Sequence, residues 1–203
     1  MEFLQFYIAR VILPVAFTAI FILLQLNGKE LLKKIKNRKK RLVLEYYLEG
    51  LKIKIGDWKK TIMLPAALAI GLDILVSWTY KMPMHASGEP LVFAMATSGF
   101  LNPIYEEFAY RGIGIGMIVV PIAETARDKT KKYAIYLAGM LMIAYVFTIS
   151  HDNGTVFQFI SRFSLSMLFG LLYLFSGRNL LPPMIAHAAS NLFMVLKDSA
   201  NCT

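Results

Sequence analysis

Residues 103–117 read PIYEEFAYRGIGIGM, and this otherwise apolar run carries Glu106, Glu107 and Arg111. A charged side chain near the middle of a membrane helix costs roughly 2.5–3.5 kcal/mol on insertion scales, so each of the three needs a reason to be there. Glu107 and Arg111 stand four residues apart, the helical spacing at which a carboxylate and a guanidinium meet and neutralise each other. Glu106 projects about 100° away from Glu107, so it lacks that partner and is free to face a polar cavity. An unpaired intramembrane carboxylate is a candidate general base. From this segment alone, a purely structural cluster of all three charges reads equally well.

The surroundings justify reading the run as intramembrane. Of the 203 residues 57% are hydrophobic, above the share carried by soluble domains. Apolar stretches recur at 3–26, 61–80, 91–121, 133–151, 156–176 and 180–196, most of them long enough to cross ~30 Å of hydrocarbon. The expected fold is all-α, a polytopic transmembrane helix bundle of about six membrane segments, some interrupted, enclosing a polar intramembrane cavity. Residues 1–60 form an N-terminal helix with a basic, amphipathic cytoplasmic segment, and 61–203 form the bundle, with its core at 91–196. The first stretch contains Arg10, lacks a small-residue cleavage site and precedes its basic cluster, so it reads as a retained helix.

The net charge of +9 is concentrated, because 8 of the 13 residues at 29–41 are Lys or Arg. Following an apolar stretch, this is the positive-inside pattern and implies contact with anionic lipid headgroups, not nucleic acid. The basic loop at 127–132 then falls on the same side, while Trp78, Tyr80 and Lys81 mark the opposite interface. Residues 42–60 alternate apolar and charged side chains and are expected to lie flat on the cytoplasmic surface. The single cysteine, Cys202, excludes an intrachain disulfide and a Cys-rich metal site.

Two further segments carry polar chemistry in apolar surroundings. AYVFTISHDNG, residues 144–154, ends a helix in His151, with Phe147 one turn earlier; taken alone, a histidine there is more often an interfacial residue. NLLPPMIAHAASNLF, residues 179–193, opens a helix with Pro182 and Pro183 and places His187 and Asn191 on one face. That pair could equally be interhelical polar glue. The coincidence is telling, because two of the chain's three histidines lie in apolar helices beside helically spaced partners, while His85 sits in a loop. Gly112 and Gly116, at GxxxG spacing, read as a close-packing face and not as a phosphate loop. Asp73 and Arg162 are intramembrane charges that either line the cavity or pair structurally.

Together, EEFAYR, FTISH and HAASN fit, in order, the EExxxR, FxxxH and HxxxN motifs of the CAAX-protease and bacteriocin-processing family, which the chain resembles over 91–196. The resemblance implies an intramembrane endopeptidase in which Glu106 activates a water, His151 holds or polarises it, and His187 with Asn191 stabilises the oxyanion. Glu107, Arg111 and Phe147 would support these groups from behind. Zinc held by Glu106, His151 and His187 is the alternative, but the chain lacks HExxH and a metal-free glutamate mechanism is favoured. The substrate would be a membrane-associated or leader-bearing peptide or a lipid-modified C-terminus, in a bacterial or archaeal cell membrane. A non-proteolytic adaptor or bacteriocin-immunity protein of the same fold is the competing function.

A simple ladder of full spans would put His151 and His187 at opposite faces of the membrane. Sharing a site therefore requires interrupted segments. The expected breaks are an unwound stretch at 179–182, so that the helix carrying His187 begins within the bilayer, and a break at Asn102-Pro103.

Overall fold

A computed structural model describes residues 12–79, 91–151 and 154–201, and all secondary structure in them is helical. Arg10, Tyr80, Lys81, the loop with His85, Asp152, Asn153, Cys202 and the Trp78 side chain lie outside what is described. The helices are α1 (Leu13–Lys34), α2 (Arg38–Glu49), α3 (Leu64–Thr79), α4 (Leu91–Ala96), α5 (Asn102–Glu107), α6 (Val120–Glu124), α7 (Lys129–Ile149), α8 (Val156–Phe175) and α9 (Leu181–Asn201). π-Helical segments, Thr97–Leu101 and Phe108–Val119, join α4 to α5 and α5 to α6. Of these helices, α7 and α8 are long and apolar enough to cross a membrane.

The distribution of side chains is inverted relative to a soluble protein. Arg111 is the largest fully buried side chain, and Glu107 is as completely buried. Outward, Phe175 is 86% exposed, with Val92 and Leu75 also turned out. Exposed apolar residues recur along α1, α3, α7 and α8. Such a surface would aggregate in water and is the normal exterior of a bundle whose solvent is lipid.

The expected break at Asn102-Pro103 does not occur, and the backbone stays helical from Leu91 to Glu124. The physical reason is the change of pitch. In the π segment the Asn102 amide donates to the Thr97 carbonyl, five residues back. One residue on, Pro103 has no N–H to give, and the carbonyl it would have served is that of Ser98. Asn191 Nδ2 donates to this oxygen at 2.7 Å, so proline is accommodated by a side chain of α9 instead of by a break.

The second expected interruption is present, ending two residues earlier than expected. Ser176 to Leu180 are non-helical and α9 begins at Leu181. Gly177 and Arg178 have φ of +70° and +64°, closing α8 with an Arg178 amide bond to the Tyr173 carbonyl at 2.9 Å. Asn179 is buried and clips the segment to the residues that follow α2. Its Oδ1 accepts from the Lys54 amide at 2.9 Å and its Nδ2 donates to the Lys54 carbonyl at 2.7 Å, while the Leu180 amide reaches the Lys52 carbonyl at 3.0 Å.

That docking revises the reading of 42–60 as a segment lying flat on the surface. Leu51 is fully buried in the main core beside Phe108, Ile115 and Leu180. Its partners are distant in sequence, so local alternation of charges and apolar residues could not reveal it. The close-packing role of the glycines holds, but what approaches is this turn. A Cβ at Gly112 would meet Leu51, and one at Gly116 would collide with the Tyr173 hydroxyl and meet the Gly50 carbonyl at 3.3 Å. Tyr173 cannot yield easily, because its hydroxyl donates to the Gly50 carbonyl at 2.6 Å.

The α7–α8 hairpin is set locally. Asp128 caps α7 by accepting from the Lys131 amide, and Thr155 and Gln158 form a reciprocal capping box at α8. The intervening link carries His151.

These contacts give a stability test. Gly116→Ala should lower stability by about 1–3 kcal/mol through overpacking, read by thermal unfolding of the purified protein in detergent. Gly71→Ala, where a Cβ meets nothing within 4 Å, should leave the transition unchanged or slightly raised.

Candidate active site

Several elements converge on one cavity of about 440 Å³, whose walls include Glu106, Tyr110, His151, Phe169, His187 and Asn191. Glu106 comes from the end of α5, His151 from just beyond α7, and His187 and Asn191 from the second and third turns of α9. Glu106 Oε2 lies 3.6 Å from His151 Nε2 and 3.6 Å from His187 Nε2. It has no hydrogen-bond partner within the protein. Side-chain exposure is 14% for Glu106 and 29% for His151, against 6% for His187, so the carboxylate and one imidazole face the cavity more openly.

The orientation of both rings follows from what holds their far nitrogens. His151 Nδ1 lies 2.7 Å from the Phe147 carbonyl oxygen, which can only accept, so Nδ1 carries the proton. The Ser150 hydroxyl donates to the same carbonyl at 2.8 Å, and Tyr110 donates in turn to Ser150 at 2.8 Å. Phe147 also packs its ring against His151 at 4.6 Å. His187 Nδ1 lies 2.8 Å from Glu107 Oε1. Glu107 is an ionised acceptor, because Arg111 Nη1 donates to the same oxygen at 3.1 Å, so His187 also carries its proton on Nδ1. Neutral, both rings therefore present a bare Nε2 toward Glu106.

Arg111 is fixed beyond the ion pair. Its Nη2 donates to the Ser166 carbonyl at 2.9 Å and to the Ser166 hydroxyl at 2.6 Å. Its guanidinium lies 4.9 Å from the centre of the Phe147 ring and 5.3 Å from that of Phe169. Phe169 stacks on His187 at 4.9 Å with planes 21° apart. A cation between two aromatic faces and a hydrogen-bonded anion is a setting in which burial is tolerable.

All seven residues expected at the site are thus brought together: Glu106, His151, His187, Asn191 and also Phe147 on the wall, with Glu107 and Arg111 behind them. One expectation was incomplete, since Glu107 holds His187 as well as Arg111. Sequence reading missed Ser166, Ser150, Tyr110 and Phe169. Ser166, as a polar residue on the apolar helix α8, gave the one usable signal; the others depend on tertiary packing. Asp73 and Arg162, left undecided, both lie on the cavity wall. Among the described residues no group of three or more His, Cys, Asp or Glu side chains stands out as a metal site.

Comparison with known proteins adds an independent finding. The family described as type II CAAX prenyl endopeptidase Rce1-like matches residues 88–193, just over half of the chain and the whole of the region that supplies Glu106, His151, His187 and Asn191. Neither curated proteins nor solved structures gave a match. With the motifs in order and their side chains gathered on one membrane-type cavity, the chain belongs to the Rce1-like family of type II CAAX prenyl endopeptidases.

Proposed function

We propose that the protein hydrolyses a peptide bond inside the bilayer by glutamate-activated water, in a bundle of about six membrane segments. The observation that carries this reading is the convergence of Glu106 Oε2 with two imidazole Nε2 atoms at 3.6 Å, each imidazole locked from behind. Glu106 accepts a proton from a water in the cavity as the water oxygen attacks the scissile carbonyl carbon. His151 Nε2 orients that water by accepting its second hydrogen. Negative charge grows on the carbonyl oxygen, and Asn191 supports the reading that it is met by an amide donor, since one Nδ2 hydrogen serves Ser98 and a second remains. His187 adds a donor once it holds a proton on Nε2. The carbon–nitrogen bond then breaks as Glu106 passes its proton to the leaving nitrogen, giving a carboxylic acid and an amine, with Glu106 returned to its starting state.

Such a mechanism draws its strength from the low dielectric of the site and from groups positioned before the reaction. A metal-free glutamate route is preferred to a zinc route because the chain lacks HExxH and its three donors come from three separate elements. Given the description of the matching family, a peptide with a lipid-modified C-terminus is the first substrate class to test, and a leader-bearing peptide the second. Exposed Lys33, Lys34, Lys36, Arg38 and Arg41, at the junction of α1 and α2, are proposed to rest on anionic headgroups.

The test compares new peptide termini in membranes carrying the wild-type protein or Glu106→Gln at matched expression. Termini dependent on the wild type should fall about 100-fold or more with Glu106→Gln. Identical peptide sets with the biological phenotype retained would favour a non-proteolytic adaptor.

A second expectation concerns the buried pair. Arg111→Met leaves Glu107 charged and uncompensated, and should cost about 3–5 kcal/mol in unfolding experiments. Adding Glu107→Leu should recover much of that stability while cleavage stays low, because His187 Nδ1 has lost its acceptor. A double variant no more stable than Arg111→Met would contradict the assignment.

A further inference from the structure

Among the described residues, Asp73 is the one carboxylate on the cavity wall that the proposed chemistry leaves unused. It lies in the middle of α3, is 4% exposed, and lines the same cavity as Glu106 and His187. The Ser190 side chain hydrogen-bonds to it, yet its Oδ2 has no hydrogen-bond partner in the protein. Ser190 follows His187 by three residues on α9, so Asp73 sits roughly 5 Å along that helix from the imidazole. An extended peptide advances about 3.3 Å per residue. A peptide bond placed against Glu106 and His187 would therefore set a neighbouring residue, within about three positions of the cut, beside Asp73 Oδ2.

A carboxylate held in an apolar bundle with one oxygen unpaired is costly, and a cation brought by the substrate relieves that cost. We propose that Asp73 is a specificity-determining residue that pairs with a lysine or arginine side chain of the substrate within three residues of the scissile bond. A backbone amide alone would not need an ionised group there. This assignment rests on the endopeptidase reading above, and the experiment separates the two.

The full chain in liposomes is given a randomised peptide library, and products are sequenced by mass spectrometry, with Glu106→Gln as the blank. Matched peptides carrying lysine or its uncharged isostere norleucine at the enriched position then give a ratio of kcat/KM. The expected wild-type ratio is about tenfold or more in favour of lysine, collapsing toward one in Asp73→Asn and restored by Asp73→Glu. Thermal unfolding checks that each variant is folded. Cleavage by the wild type with no basic residue enriched, an unchanged ratio in Asp73→Asn, or loss of both peptides alike in a folded Asp73→Asn would each overturn the assignment of Asp73 while leaving the endopeptidase intact. Absence of any Glu106-dependent cleavage would instead sink the endopeptidase reading, and this inference with it.

Discussion

A guanidinium and a carboxylate with no solvent exposure, 3.1 Å apart, set the terms for the rest of the structure. Either ion alone would be costly in an apolar bundle, so each draws further partners, although Arg111 Nε and Glu107 Oε2 have no hydrogen-bond partner in the protein. Arg111 recruits α8 through Ser166 and two aromatic faces, and Glu107 recruits α9 through His187. Three elements are thereby fixed about one buried pair. The same contacts that make the charges bearable decide which nitrogen of His187 carries a proton, and so what the cavity presents to a substrate. Stability and chemistry share the Glu107 carboxylate.

The neighbouring residue shows how one helical step separates the two tasks. Glu106 and Glu107 are adjacent in sequence but diverge in direction, so one is consumed by packing and the other reaches the cavity. His187 lies between them, with Nδ1 on Glu107 and Nε2 facing Glu106. Asn191 has a comparable double duty, since it closes the Ser98 carbonyl that Pro103 leaves unserved and also lines the cavity. Substitutions at such residues mix structural and chemical losses, which is why paired or isosteric changes are the informative ones.

Much of this was legible in the sequence, for identifiable reasons. The 107–111 pair and the 187–191 face follow from helical spacing, and the cost of charge in an apolar run makes Glu106 stand out. The short final stretch and its prolines announced the unwound segment before α9. The continuous helix through Pro103 was not legible, because it depends on a change of pitch and on the Asn191 side chain, which donates to the Ser98 carbonyl from 93 residues away. Burial of Leu51 and the clip between Asn179 and Lys54 are likewise long-range. Asp73 could be flagged as an oddity, but its place on the cavity wall emerges only when α3 packs against α9.

The central claim is that buried acceptors lock both imidazoles so that each turns Nε2 toward Glu106. The most direct measurement is nitrogen-15 NMR of histidine-labelled protein in lipid, with the three histidines assigned by single replacement of His85, His151 and His187. The account requires Nδ1 to be protonated on both His151 and His187, and requires that state to be lost at His187 when Glu107 is replaced by leucine. A bare Nδ1 on either ring in the wild-type protein would contradict it.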